Sequence, residues 1–508
     1  PYYKNELFGP AYDAGARVHS NSWGASHAGY DTSTVEFDKF VYNNPDMLVL
    51  VAAGNSGEYE GTDFYGDYSV GAPATGKNIL SVGASCNTNH CGTTLQLADF
   101  SSQGPTNDGR RKPDVAAPGY YVAAASSDNS GESCSLVYKA GTSMATPAAA
   151  GAAIIARQYF TEGWGTCDGW ASGTSGGSTA CSPKAATLKA VLANSATALT
   201  SISAYDDHTS GQRTNLATHL PDFFQGQGRV TLTNALKLDG VNAVETFVKE
   251  DTVSEGATNS YTVQATGDTL VVTLAWTDPQ GTSSCTQCLV NDLDLRIEDS
   301  TAATDYYPGP QTFTDPSTAD DVLGPVPSNS RVPSTSSSDR DSINNLEKIV
   351  VPGVSSGRSY TIYVYGRNLA SGYSTQAYSI VASGTISAGS GPSPAPQPTA
   401  PGATPTPQPT PSPTAAPTLC SAGCPSNYPG DNYCDNGCNN DACDWDNGDC
   451  CQETNPNPWG GSYNCKDPAY ASSAPTPQPT DAPTDYPSPQ PTDAPTGNPS
   501  PQPTTAPP

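Results

Sequence analysis

The 508-residue chain carries 49 Asp+Glu against 22 Lys+Arg, a formal net charge of −27. That balance excludes nucleic acid and anionic membrane surfaces as partners and favours solubility, and the length predicts about three domains. Fifteen Cys, eight of them within 420–465, point to an oxidising compartment and a secreted protein. The most apolar run, AAAGAAIIA (148–156), is too short to span a bilayer. The chain opens on Pro1 with no charged-then-apolar leader, so it is expected to be a fragment or a processed form.

Residues 1–243 alternate apolar strand-like runs with helical ones. VLVAAG (49–54), ILSVGAS (79–85) and DVAAPG (114–119) read as buried strands, each ended by Gly or a turn. AGTSMATPAAAG (140–151) reads as a Gly-Thr turn that opens an Ala-rich helix from Ser143 to Arg157, with Pro147 in its first turn. KAATLKAVLANSA (184–196) reads as an amphipathic helix. Strand, turn and helix in succession imply an α/β domain with a mostly parallel sheet, whose functional loops gather at the carboxyl ends of the strands, where Asn55 and the 140s loop fall. A Ser exposed at such a turn, at a helix N-terminus, is a candidate nucleophile; the alternative is an ordinary N-cap on a small-residue helix.

From 245 to 386 the pattern becomes two-residue alternation: SYTVQAT, TLVVTLAWTD, LVNDLDLRIED, EKIVVPGV, SYTIYVYGRN and AYSIVASG, separated by turn residues. This predicts an all-β sandwich or jelly roll. Asp292 and Asp294 are candidate calcium ligands or simply solvated strand-end carboxylates. Residues 387–418 are an uncharged Pro/Thr/Ser linker, 419–466 a cysteine-rich module, and 467–508 a tail with a repeated PQPTDAPT unit. The linker and tail are expected to be extended and disordered, the tail a stalk reaching cell wall or matrix. Cys86–Cys91, Cys167–Cys181 and Cys285–Cys288 are plausible local disulfides, which leaves Cys134 single.

NSWG (21–24), VLVAAGNSG (49–57), DFSSQGPTNDGRRKPDVAAPG (99–119) and GTSMATP (141–147) occur in that order. Together they resemble the subtilisin-like serine proteases, the subtilases. LFGPAYDAGARVHSNSWG followed by AAGN resembles the subgroup with a C-terminal β-sandwich. The resemblance implies a three-layer α/β domain, here incomplete, acting as a secreted endopeptidase on polypeptide substrates with no catalytic cofactor. Ser143 would be the nucleophile, and the Asn55 side chain with the Ser143 N–H would hold the oxyanion. Ser22, Trp23 and Gly24 would form an edge for an extended substrate, with Ala53 and Gly54 on the opposite wall. Subtilases carry Asp, then His, then Ser; both the Asp and the His-Gly-Thr-His motif belong upstream of Pro1. His19, His27 and His90 precede Ser143, but none sits in that motif, so the chain alone is expected to be inactive. The alternative is a non-catalytic secreted or cell-surface binding protein on a subtilase-like core.

LCSAGCPSNYPGDNYCDNGCNNDACDWDNGDC (419–450) resembles a Lin-12/Notch repeat. That resemblance implies the pairs Cys420–Cys443, Cys424–Cys438 and Cys434–Cys450, whereas the sequence itself leaves every pairing open; Cys451 and Cys465 remain for each other. So small a module needs cross-links and a bound ion. The pattern implies structural calcium held by Asp431, Asp446 and Asp449, with Asn427 as a fourth side chain. A disulfide knot without metal is the alternative.

Overall fold

The computed structural model describes residues 3–57, 68–87, 91, 95–126, 135–202, 221–308 and 340–389. The chain divides into two compact units, Pro1–Gln397 and Pro398–Pro508; the cysteine-rich module and the repeat tail lie outside the described residues, as do His90 and Cys134.

Strands β1 (Val18–Asn21), β2 (Leu48–Ala52) and β3 (Leu80–Ser85) lie side by side and parallel. Strand β4 (Gln96–Leu97) meets β3 antiparallel, while β5 (Val115–Pro118) pairs with β3 parallel. The predicted runs thus form the expected mostly parallel sheet. Strands β2 and β3 are buried at every residue, which is why they read as continuous apolar runs rather than alternating ones. Helix α1 (Thr32–Asn43) is capped by Asp31, whose carboxylate accepts the Thr34 N–H at 2.8 Å. Helix α2 (Thr142–Thr161) turns Ala145, Ala149, Ala153 and Ala156 inward, and their small methyls let it pack close on β1, β2, β3 and β5. Its other face leaves Ile154 and Ile155 exposed. Between β5 and α2, β6 (Val122–Ala125) and β7 (Leu136–Lys139) pair as an antiparallel two-stranded sheet.

Helix α3 (Ala185–Asn194) corrects the expectation of an amphipathic helix: all ten of its residues are buried. It is covered from both sides, by β2 and α2 and by strands of the second sheet. Its polar groups are all engaged. Lys189 Nζ donates to the carbonyls of Lys77 and Ile79 and pairs with Asp114 at 3.3 Å, and Asn194 donates to the carbonyls of Val271 and Val381.

The second sheet is antiparallel and eight-stranded. It contains β8 (Asp168–Trp170), contributed from the N-terminal half, then β10 (Glu245–Ser254), β11 (Thr258–Ala275), β12 (Asp292–Asp299), β13 (Thr304–Tyr306), β14 (Leu346–Val350), β15 (Ser359–Asn368) and β16 (Thr375–Ala388). Strand β9 (Ser201–Ile202) belongs instead to the first sheet, beside β4. Two expected strands, SYTVQAT and TLVVTLAWTD, are one. Gly267 and Asp268 make no turn: pairing with β16 resumes beyond a bulge between Ala265 and Leu270. Alternation along β15 holds as predicted, with Tyr360, Ile362 and Val364 facing a core that includes Trp276, Leu293, Leu295 and Ile380. All three expected local disulfides are present.

The two sheets meet through buried charge. Lys77 pairs with Asp278, both wholly buried, and also donates to the carbonyls of Pro279 and Cys288. Asp278 further accepts the N–H groups of Val290 and Asn291. An ion pair placed there costs desolvation that only such a complete set of partners offsets.

Candidate active site

Ser143 is the second residue of α2, not the first, and the helix runs four residues past Arg157. Gly141 precedes it at φ 147°, a conformation that a side chain would strain. Its N–H donates to the Gly119 carbonyl just beyond β5, which fixes the turn to the carboxyl end of the sheet. Pro147 is the sixth helical residue, in the second turn rather than the first.

Asn55 lies three residues beyond β2, at a turn where Gly54 has φ 114° and a Cβ would meet Ser102 Oγ at 2.7 Å. Asn55 Oδ1 accepts from the Thr142 N–H at 2.8 Å and the Thr142 hydroxyl at 3.0 Å. A backbone N–H can only donate, so the amide oxygen must face Thr142 and the amide NH2 must face away. That NH2 sits 3.5 Å from where a Gly141 Cβ would be, close to the Ser143 turn. The Ser143 N–H belongs to the first turn of α2, where no helical carbonyl reaches it. Two donors, Asn55 Nδ2 and the Ser143 N–H, thus flank the Ser143 turn under the positive end of α2.

Ser22–Gly24 follow β1 and are exposed. Ser22 Oγ donates to the Ser143 carbonyl at 2.9 Å, and Ser143 Oγ reaches the Ser22 carbonyl at 3.5 Å. Trp23 stacks on Tyr3, ring centroids 5.8 Å apart. At Gly24 an added Cβ would press on the Ala72 carbonyl, 3.0 Å away. Ala53, expected on the opposite wall, is wholly buried. Its N–H donates to the Val82 carbonyl and its carbonyl accepts from the Gly71 N–H, so of the two expected wall residues only Gly54, half-buried, reaches towards the surface.

Neither described imidazole that precedes Ser143 is bonded to it. His19, on β1, contacts Asn21 at 3.1 Å and packs edge-on against Phe8, and burial lowers its pKa. His27 pairs with Asp31 at 3.5 Å. The residue that spacing did not single out is Thr142, whose N–H and hydroxyl both hold Asn55 while the hydroxyl also accepts the Gly54 N–H at 3.2 Å. A Thr directly before the candidate nucleophile was its one signal.

Away from this site, Asp294 is not a solvated strand-end carboxylate. It is 5 % exposed and lies 3.6 Å from Arg340 and 3.9 Å from Arg367. Among the described residues, no group of three or more His, Cys, Asp or Glu is arranged to hold a metal ion. Asn427, Asp431, Asp446 and Asp449 lie outside the described residues.

Residues 4–228 match the subtilase family, Peptidase_S8, and residues 417–451 match the Notch LNR domain. Serine protease/ABC transporter B family protein tagD of Dictyostelium discoideum is 26% identical over 486 residues, 72% of this chain and 25% of that protein. Serine protease AprX of Bacillus subtilis (strain 168) is 37% identical over 123 residues, 22% of this chain and 26% of that protein. A solved structure described as S41 Psychrophilic Protease is 25% identical with a TM-score of 0.29, covering 44% of this chain and 60% of that one. The chain spans about a quarter of the length of the curated relatives it matches. With four motifs in order, a parallel sheet whose carboxyl end brings the Asn55 loop against the Ser143 turn, and both family matches, the chain is subtilase-like over residues 4–228 and carries a Notch-type repeat at 417–451.

Proposed function

We propose that this chain is the nucleophile-bearing part of a secreted serine endopeptidase. The observation that supports it most is the Thr142 clasp, which turns the Asn55 amide NH2 towards the Ser143 turn. Ser143 Oγ attacks the scissile carbonyl carbon, and the oxyanion that forms lies between Asn55 Nδ2 and the Ser143 N–H. The extended substrate pairs along Ser22–Gly24, so recognition is mostly of backbone and weakly selective. The general base that takes the Ser143 proton is not one of the imidazoles described beside it. It is supplied by a group outside the described residues, and the chain by itself does not turn over peptides. Polypeptides are the substrates, and the protein works outside the cell or at its surface. Three disulfides and the LNR match support that location. In the second unit, calcium on Asp431, Asp446, Asp449 and Asn427 holds the LNR module in shape, and the Pro/Thr tail tethers the protein to wall or matrix.

That neither described imidazole bonds to Ser143 favours a second reading, a binding protein on a protease scaffold. Labelling with a fluorophosphonate separates the two. In the full-length parent, the probe should attach at Ser143 and be lost in Ser143→Ala. A parent that stays unlabelled while folded is a binding protein.

A further inference from the structure

The outward face of the antiparallel sheet carries a second polar site. Strand β12 places Asp294 opposite Tyr365 and Arg296 opposite Tyr363 on β15, and Thr258 of β11 lies across from Tyr365. These positions alternate with the core-facing Leu293, Leu295, Ile362 and Val364, so side chains of one face line up over three strands. Tyr307 and Arg340 close one end, leaving a groove of about 300 Å³, within the range of small-molecule sites.

The charges of this groove are not balanced. Arg296 is satisfied, with Asp305 at 2.7 Å, Glu298 at 3.7 Å and the Tyr363 ring beneath it at 4.0 Å. Among the described residues, Arg340 and Arg367 share one ion-pair partner, Asp294, at 3.6 and 3.9 Å, each with a tyrosine ring 5.8 Å away. Both gaps exceed a hydrogen bond. Asp294 Oδ2 is buried and accepts no hydrogen bond. Asp292, the nearest further carboxyl on the strand, is pushed up to about 7 by its burial and by Asp294 and Asp341, so it only partly offsets the guanidinium charge. Three arginines converge here in a chain of net charge −27.

Each feature asks for a different part of one ligand. Two under-paired guanidinia suit a planar carboxylate, which Arg binds through paired N–H donors. An orphaned carboxylate oxygen wants a hydroxyl donor, short enough to sit in a gap between charges. The Tyr363 face is taken by Arg296, but the ring of Tyr365, negative at its centre and with Arg367 no closer than 5.8 Å, suits the C–H face of a pyranose. An acidic peptide supplies the first part but not the third.

We propose that this groove binds a carboxylated saccharide, a uronate-bearing glycan, through Arg340, Arg367, Asp294 and the Tyr365 ring. The site is independent of Ser143 and of any proteolytic activity.

The test measures binding to the full chain by calorimetry, with trigalacturonate, maltotriose, triglutamate and inorganic sulfate as probes. Trigalacturonate should bind at least about tenfold tighter than each of the others. Arg340→Gln and Arg367→Gln should each weaken it by about tenfold with an unchanged thermal midpoint. Arg367 is exposed, so its variant carries the test even where Arg340→Gln disturbs the fold. Maltotriose binding as tightly would remove the role of the carboxylate. Triglutamate binding as tightly or tighter would make the groove a peptide exosite, sulfate binding as tightly a plain anion site, and unaltered binding in Arg367→Gln would place the ligand elsewhere. Any of these overturns the proposal.

Discussion

Ser22 Oγ donates to the carbonyl of Ser143, an acceptor left open because Pro147, four residues on, has no N–H to claim it. A helix-breaking residue in the second turn of α2 therefore ties the candidate nucleophile to the candidate substrate edge. Pro147→Ala would return that N–H and set it against Ser22 for one carbonyl. The bond is worth about 0.5–1.5 kcal/mol, so on the proposed function the full-length parent should lose turnover several-fold, chiefly through a higher KM. Its thermal midpoint should hold or rise, since Ala suits a helix interior better than Pro. Steady-state kinetics with a thermal melt decide it; unchanged KM would mean that the contact does not position the edge.

Asn55→Asp separates an oxyanion donor from a structural clasp. The aspartate keeps an oxygen for the Thr142 N–H but has no amide NH2. On the proposed function, kcat of the full-length parent should fall with KM little changed, by about the 10²–10³ that removal of the oxyanion Asn costs a subtilisin. A purely structural Asn55 would tolerate the change with its activity intact.

Lys348 reports on the contact between the sheets. It is 8 % exposed, its Nζ donates to the Ala193 carbonyl of α3 at 2.8 Å, and burial lowers its pKa to about 7. Unfolded, it titrates near about 10.4. Between those values the unfolded chain binds more protons than the folded one, so this group's contribution to stability rises with pH from about 7 to about 10. The slope is at most about 1.4 kcal/mol per pH unit. Below about 7 the cost of burying the charge is fully in place. Lys348→Met should therefore be more stable than the parent at about pH 7, with the advantage shrinking by about pH 9.5. Urea titrations at the two pH values measure this, and an advantage independent of pH would mean that Lys348 is charged in both states throughout.

Calcium should direct disulfide pairing in the LNR module. Reduce and reoxidise the full chain with calcium, with magnesium or with chelator, then map the bonds by peptide mass spectrometry. One isomer, with Cys420–Cys443, Cys424–Cys438 and Cys434–Cys450, should dominate only with calcium, and Asp446→Ala should abolish that preference. Equal yields in chelator would leave a metal-free knot.

What the sequence made legible was local. Strands β2, β3 and β5 are apolar runs ended by turns, and the Ser143 turn is written in contiguous residues. What it hid was non-local. Helix α3 looked amphipathic because Lys189 and Asn194 are polar, yet their partners are Lys77, Ile79, Val271 and Val381, all remote in the chain. Strand β8 spans three residues and exists through its pairing with β10, far along the chain. Gly267–Asp268 has the composition of a turn, and the ladder to β16 on either side is what makes it a bulge. Thr142 was hidden differently: it sits inside the motif, but its task depends on the separate loop that carries Asn55.

The burial of α3 also bears on how such a protein can be rebuilt. Leu188, Val191 and Leu192 are wholly buried on a helix packed between α2 and β2 of the N-terminal half on one side and β11 and β16 on the other. Cutting the chain before β10 would open that core to water instead of removing an appendage. Grafting the N-terminal half onto a foreign partner would need a replacement wall with the same carbonyls for Asn194. The antiparallel sheet is thus inherited together with the parallel one, and the pair should melt in a single transition.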